Sequence, residues 1–191
     1  MNTLSPVAIV TDSASVIPAD LLKQYRIGVV PYYVHLGRES YKSGVDLTPE
    51  AFFQRLRKEP DLDISTGVPP IGAFLEVYQK LSEWAKAIVS VHIAGKKSGG
   101  CSAAEIAGRE SPIPVVVVDS ETTAMGEGFV ALEAAREAAT GAPLEDVLAK
   151  ARAVVANVGV IALLENINYV LKGGRLGGAA RMVGDFLKIQ P

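Results

Sequence analysis

Short apolar runs alternate along the chain with longer segments in which apolar residues recur every three to four positions. The short runs are rich in Val and Ile and predict strands, whereas the longer segments predict amphipathic helices. The predicted strands cover residues 7–10, 28–36, 87–91, 115–118 and 158–164. The predicted helices cover residues 19–25, 51–57, 71–83, 102–108, 122–139 and 144–157. Strands that alternate with helices indicate an α/β fold with a mainly parallel sheet.

Turn signals refine this picture between the second and third long strands. Gly37-Arg38-Glu39 predicts a hairpin turn that leads back into residues 40–42. Thr48-Pro49 predicts a capped helix start, because a hydroxyl side chain accepts a backbone N–H and proline fits the first helical turn. Residues 64–70 are predicted to be a polar loop. The four-valine run at 115–118 predicts a strand that is buried on both faces.

The pattern changes after residue 157, and we expect a domain boundary there. Residues 1–157 are expected to form an N-terminal three-layer α/β/α domain. Residues 158–191 are expected to be the beginning of a second α/β domain. The sequence stops at Pro191, where a further strand is predicted to start, and we therefore expect this second domain to be truncated.

The composition describes a folded globular protein, with 49% hydrophobic and 21% charged residues in 191. A net charge of −2 does not favour nucleic acid as a partner. A single cysteine is typical of a reducing compartment, and two histidines leave little material for a zinc site. The chain shows neither a signal peptide nor a run of the ~20 apolar residues that a membrane span needs. We therefore expect a cytoplasmic protein with no integral membrane association, no metal and no cofactor.

The segment 96–104, Lys-Lys-Ser-Gly-Gly-Cys-Ser-Ala-Ala, carries the most informative chemistry. It follows a predicted strand and opens a predicted helix. Glycines let a ligand approach the backbone, and the free N–H groups at a helix start carry partial positive charge. This segment therefore predicts a site for an acidic group at Ser98 and Gly99.

Two other strand ends carry polar residues, Thr11-Asp12-Ser13 and Asp119-Ser120. Because binding sites in parallel sheets lie at the carboxyl ends of strands, the three loops are expected to converge on one crevice. A hydrolase or phosphotransferase that uses Ser98, Asp12 and Asp119 is one interpretation, and a module that binds a polar metabolite is another. Neither His35 nor His92 has an evident orienting partner, which disfavours Ser98 as a nucleophile, and His92, just past a predicted strand, is expected to be a satisfied core or rim histidine.

Two glycine motifs resemble nucleotide-binding patterns without matching them. Gly95-Lys96-Lys97-Ser98 lacks the glycine and the hydroxyl residue that a phosphate-binding loop requires at positions 90 and 97. Residues 126–131 fit a dinucleotide pattern, but they stand too far from the preceding strand. The second motif is interpreted as a helix of small residues that packs closely.

The ordered set of motifs resembles the DegV family of bacterial fatty-acid-binding proteins. No single motif is specific, but the motifs occur in the family's order along the whole chain. The matching residues are Thr11-Asp12-Ser13, Ser65-Thr66 before Pro69, Ser98-Gly99 with Ser102-Ala103-Ala104, Val118-Asp119-Ser120 with Met125-Gly126-Glu127-Gly128, and Leu171 to Arg175.

The resemblance implies a non-catalytic protein that holds a long-chain fatty acid in an apolar tunnel. It implies that the carboxylate is bound by Thr66 and Ser98, with the backbone at Gly99, and that Arg175 contacts the head group or a partner. It also implies that a separate ATP-dependent fatty acid kinase subunit phosphorylates the bound fatty acid to an acyl phosphate, which links the protein to phospholipid metabolism.

Overall fold

The structure, a computed structural model, describes residues 5–163. The chain divides into two units, Met1–Val160 and Ile161–Pro191, and the fold given below is that of the first. The domain boundary at residue 157 stays a prediction. Arg175 and the rest of the proposed second domain from residue 164 onward lie outside the described residues.

Seven strands and six helices make up the described unit. The strands are β1 (Ser5–Asp12), β2 (Gly28–Val30), β3 (Tyr33–Leu36), β4 (Glu39–Lys42), β5 (Ile64–Gly67), β6 (Ala85–His92) and β7 (Val115–Asp119). The helices are α1 (Ala19–Gln24), α2 (Pro49–Lys58), α3 (Ile71–Ser82), α4 (Gly100–Arg109), α5 (Met125–Ala139) and α6 (Leu144–Val155). None of the helices in residues 5–163 has the length and apolar character needed to cross a bilayer.

Four parallel strands in the order β2-β1-β6-β7 form the main sheet. Successive side chains of β1 point to opposite faces, so Val7 and Ile9 join one core cluster whereas Ala8 and Val10 join the other. The first cluster packs against α5 and α6, and the second packs against α3 and α4. These contacts confirm the predicted three-layer arrangement with a parallel sheet.

Three antiparallel strands in the order β4-β3-β5 form a second, smaller sheet. The predicted hairpin joins β3 to β4, and Gly37 takes a φ of 61° in its turn. The prediction that residues 64–70 form a polar loop is wrong, because residues 64–67 pair with β3 as strand β5. The polar side chains of these residues predict a loop, because among the described strands β5 lies at the edge of its sheet and is partly exposed. Its partner β3 lies about 30 residues earlier in the chain, so the local sequence does not indicate the pairing.

Helix α2 packs on one face of the small sheet. Its predicted cap is confirmed, because Thr48 Oγ1 accepts the Ala51 N–H at 3.2 Å. Arg55 reaches from α2 to the sheet and forms an ion pair with Glu39 at 2.7 Å. The small sheet and α2 therefore pack together beside the carboxyl end of β2.

Three predicted elements differ from the structure. The valine run in β7 is only half-buried at residues 115–117, because β7 is an edge strand of the main sheet. Helix α5 begins at Met125 and not at residue 122, since Glu121 and Ala124 take φ values of 55° and 51°, outside the helical range. Residues 158–163, the described part of the strand predicted at 158–164, form no strand.

Candidate functional site

The loops at the carboxyl end of the main sheet meet, as the sequence predicts. The loop after β6 is held from two sides: Asp12 Oδ2 accepts the Ile93 N–H at 3.3 Å, and Asp119 Oδ2 accepts the Gly95 N–H at 3.1 Å. The Ala94 N–H also donates to the Thr122 carbonyl at 2.9 Å. These bonds fix the loop that carries Ser98.

Ser98 lies half-buried directly before α4. Its hydroxyl oxygen is 2.5 Å from the Tyr32 hydroxyl and accepts the Gly100 N–H at 3.3 Å. Gly99 is the N-cap of α4 and contributes no capping side chain, so the helix start is not covered by its own cap residue. The arrangement places one hydroxyl at the positive end of a helix, which suits an anionic ligand.

Thr66 lies on β5, exposed at the edge of the small sheet. Its segment reaches the Ser98 loop two residues later: a Cβ on Gly99 would lie 3.8 Å from Val68 Cγ2. The structure therefore brings the two predicted carboxylate-binding segments next to each other. Their contact runs through Val68 and Gly99.

An apolar hollow of about 200 Å³ lies between α2 and the small sheet. Its apolar lining comes from Val34, Leu47, Pro49, Phe52 and Phe53. Val34 and Thr66 are direct cross-strand partners, so their side chains share the sheet face that this hollow borders. The Thr66 hydroxyl thus stands on the same face as an apolar hollow.

A second set of polar side chains lies beneath the loops and is fully buried. His92 Nδ1 is 3.0 Å from Asp12 Oδ2, His92 Nε2 is 2.7 Å from Ser90 Oγ, and Ser90 Oγ is 2.9 Å from Tyr78 Oη. The prediction that His92 is a satisfied core histidine is confirmed. The expectation that it lacks an orienting partner is wrong, because Asp12 arrives from β1, 80 residues earlier in the chain.

The fully buried Glu127 lies beside this set on α5. Its Oε1 accepts the Thr11 hydroxyl at 2.9 Å, while its Oε2 has no hydrogen-bond partner among residues 5–163. Burial and the negative charge of Asp12 raise the pKa of Glu127 well above its usual range. Glu127 is therefore a neutral acid at physiological pH.

The groups proposed for a hydrolase are engaged within the fold. Asp12 is buried and bonds to His92 and backbone amides, and Asp119 accepts the Gly95 and Glu121 N–H groups. The His92 imidazole bonds to Ser90 and not to Ser98. Burial raises the pKa of Cys101 to about 12, so this thiol stays protonated. This arrangement gives Ser98 neither a base nor an acid among these candidates.

Sequence reasoning missed Tyr32 and the burial of Glu127. Tyr32 stands in the link between β2 and β3, and its partner Ser98 is 66 positions away, so no local pattern indicates the contact. Glu127 did carry a signal, because it is an acidic residue between Gly126 and Gly128 in the otherwise apolar first half of the helix, residues 125–132. A Cβ on Gly128 would overlap the Ser15 carbonyl, which confirms the close packing predicted for this helix.

Comparison with known proteins places this fold among its relatives. The DegV family model matches residues 6–191. A DegV domain-containing protein of Streptomyces coelicolor is 34% identical over 186 residues, which are 97% of this chain and 66% of that protein. This chain spans about two thirds of the length of the curated relatives that it matches.

Two solved structures share the fold. One is DegV, a fatty acid binding protein from Bacillus subtilis, with a TM-score of 0.87 and 28% identity over 98% of this chain and 67% of that one. The other is a DegV family protein from Thermus thermophilus described by its fatty acid binding, with a TM-score of 0.83 and 35% identity over 97% of this chain and 66% of that one. With a family model that spans nearly all its residues and a fold that matches these structures, the chain belongs to the DegV family.

Proposed function

We propose that this chain binds a long-chain fatty acid and holds its carboxylate with the hydroxyls of Thr66 and Ser98 and the backbone at Gly99. The observation that carries the proposal is the position of Ser98 at the start of α4, next to the Thr66 segment and its apolar hollow. The Bacillus and Thermus structures that share the fold are fatty-acid-binding proteins, which supports the same ligand class here.

The energetics suit such a ligand. Each methylene that leaves water contributes about 0.8 kcal/mol, so a long acyl chain gains on the order of 10 kcal/mol before the entropy of association is subtracted. A carboxylate that is buried without partners costs several kcal/mol. Hydroxyl donors and a helix N-terminus offset that cost, since hydrogen bonds to a charged group contribute about 1.5–3 kcal/mol each.

The protein's role is to present the fatty acid, and a separate subunit performs the chemistry. An ATP-dependent fatty acid kinase transfers the γ-phosphoryl group of ATP to a carboxylate oxygen, which yields the acyl phosphate and ADP. The engagement of Asp12, Asp119 and His92 inside the fold supports this non-catalytic role. Arg175 contacts the head group or the kinase. The complex works in the cytoplasm and supplies acyl phosphate to phospholipid metabolism.

Lipid extraction of the purified chain tests the ligand. The chain is expressed in bacteria, and its extract is compared by mass spectrometry with that of an unrelated protein of equal mass purified in the same way. Fatty acid at a defined molar ratio, with binding of added oleate after delipidation, supports the proposal. A chain that neither carries fatty acid nor binds added oleate contradicts it.

A coupled assay tests the presentation to a kinase. The oleate-loaded chain is incubated with ATP and a fatty acid kinase subunit, and acyl phosphate is trapped with hydroxylamine as the hydroxamate. Product is expected only when the chain, the kinase and ATP are all present. Product from the chain and ATP alone would show that the chain is itself the catalyst.

A further inference from the structure

Tyr32 is fixed at the candidate site from three directions. Its backbone N–H donates to Ser13 Oγ at 3.0 Å, and its carbonyl accepts the Ser43 N–H at 2.8 Å. Its hydroxyl lies 2.5 Å from Ser98 Oγ. Because both ends of the residue are held, the position of the phenol is set by the fold and not by the ligand.

Gly100 makes room for the Tyr32 hydroxyl. A Cβ on this residue would overlap the phenol oxygen of Tyr32, and its next contacts are the Tyr32 ring and Ser98 Oγ at 3.5 and 3.8 Å. A side chain at position 100 is therefore incompatible with the Tyr32–Ser98 hydrogen bond. The glycine and the tyrosine form one arrangement.

Hydrogen-bond counting at Ser98 gives this arrangement a consequence. A serine hydroxyl offers one donor and two acceptor positions. The Gly100 N–H fills one acceptor position of Ser98 Oγ. If the Tyr32 hydroxyl donates, it fills the second, and the proton of Ser98 is then the one function left for a ligand.

Acidity decides the direction of the Tyr32–Ser98 bond. A phenol is a far stronger acid than an alkyl alcohol, so it is the better donor of the pair. Burial raises the pKa of Tyr32 to about 12, so the phenol keeps its proton at physiological pH. On this difference in acidity we assign the Tyr32 phenol as the donor and Ser98 as the acceptor.

We propose that Tyr32 is a positioning and specificity-determining residue that leaves Ser98 only a donor toward the ligand. The site then favours a head group that only accepts hydrogen bonds, such as an ionised carboxylate, over one that must also donate, such as an alcohol. This inference rests on the proposed function, because it assumes that Ser98 contacts the head group of the lipid.

The substitution Tyr32→Phe tests the inference, because it removes the hydroxyl and keeps the ring. The affinities of oleate and oleyl alcohol are measured for the delipidated chain by displacement of a fluorescent fatty acid. In the variant, Ser98 regains an acceptor position that the alcohol can fill, so the ratio of oleate to oleyl alcohol affinity is expected to fall about fivefold, the size of one neutral hydrogen bond. Tyr33→Phe is the matched control. Tyr33 is the next residue in the chain, but it lies on β3, where it pairs with Gly67 of β5.

Gly100→Ala provides a second route to the same effect. The new methyl group displaces the Tyr32 hydroxyl from Ser98, so the ratio of oleate to oleyl alcohol affinity is expected to fall as in Tyr32→Phe. Alanine has a higher helix propensity than glycine, so the substitution does not disfavour helix α4 itself. Gly72→Ala is its control, because a Cβ at this helical position meets nothing within 4 Å. Thermal unfolding of all four variants verifies that each is folded.

The outcomes separate the inference from the proposed function. Wild-type chain that binds oleate, together with a reduced ratio in Tyr32→Phe and Gly100→Ala, supports both. Oleate binding with an unchanged ratio, or with equal losses for acid and alcohol, overturns the role of Tyr32 and leaves fatty acid binding in place. Wild-type chain that binds no oleate overturns both.

Discussion

Two tyrosine–serine pairs lie at the carboxyl end of the main sheet, and they differ in where the serine proton goes. Tyr78 and Ser90 lie inside the core, 2.9 Å apart and fully buried, whereas Tyr32 and Ser98 lie half-buried near the surface, 2.5 Å apart. Burial raises the pKa of both tyrosines to about 12, so both phenols keep their protons at physiological pH.

The inner pair ends within the protein. In the tautomer of His92 in which Nδ1 donates to Asp12, Nε2 is the acceptor of the Ser90 proton. In this network Tyr78 donates to Ser90, Ser90 donates to His92, and His92 donates to Asp12, so each of these protons has an acceptor within the protein. When Tyr32 donates in the outer pair, as we propose, the Ser98 proton has no acceptor among residues 5–163, and the ligand takes that place in our proposal. The same pair of groups stabilises the core in one setting and selects a ligand in the other.

Removal of the acceptor that ends the inner chain should have the largest effect. Asp12→Ala leaves His92 and two backbone N–H groups without their acceptor, so we expect the free energy of unfolding to fall by about 3–5 kcal/mol. Urea unfolding followed by circular dichroism measures it. Asp119→Ala is the matched control, because Asp119 also accepts the N–H of a loop residue but is exposed. If Asp119→Ala lowered the free energy of unfolding as much as Asp12→Ala, the distinction between the buried and the exposed acceptor would be contradicted.

The buried acid next to Asp12 should make stability depend on pH. The pKa of Glu127 rises from about 4.5 to about 9 on folding, so the folded chain holds a proton that the unfolded chain releases in this interval. The contribution of the Glu127 proton to the free energy of unfolding is therefore fully present below pH 4.5. It falls as the pH rises toward 9, at a slope of at most about 1.4 kcal/mol per pH unit.

The variant Glu127→Gln isolates this contribution. Its urea midpoint between pH 5 and pH 9 should change less than that of the wild type, because the amide does not titrate. Glu105→Gln, an exposed position on α4, serves as the control and should follow the wild-type curve. Parallel curves for Glu127→Gln and the wild type would show that Glu127 does not hold a proton in the folded state.

The smallest of these effects on stability should come from Tyr78→Phe. This variant tests the comparison between the Tyr78–Ser90 and Tyr32–Ser98 pairs most directly. The variant removes one buried hydrogen bond and should lower the free energy of unfolding by about 1–2 kcal/mol. Its affinity ratio for oleate and oleyl alcohol should equal that of the wild type, in contrast to Tyr32→Phe. A change of this ratio in Tyr78→Phe would mean that the inner chain also acts on the ligand.

The main sheet could be predicted from the sequence because its signals are local. Four apolar runs and the helices between them predict a parallel sheet, although not the order of its strands, and the polar residues at the strand ends mark the edge where the loops meet. The start of α5 could not be predicted, because the positive φ of Ala124 depends on packing that the pattern of apolar positions does not encode.

The small sheet and the site contacts depend on distant partners. Residues 64–67 become a strand only because β3 supplies their hydrogen bonds. Tyr32 reaches Ser98 across 66 positions, and Asp12 reaches His92 across 80, so neither pairing leaves a periodic trace. Ser98 and Gly99 could be singled out because glycines that follow a strand and open a helix are a local signal.

Calorimetric titration of the delipidated chain with oleate tests the central claim most directly, in the wild type, Thr66→Ala, Ser98→Ala and the double variant. Each single substitution is predicted to weaken binding by about tenfold or more, and the double variant to lose most of the affinity. Ser65→Ala, on the opposite face of β5, should bind as the wild type does. A double variant with wild-type affinity would contradict the claim that these two hydroxyls hold the carboxylate.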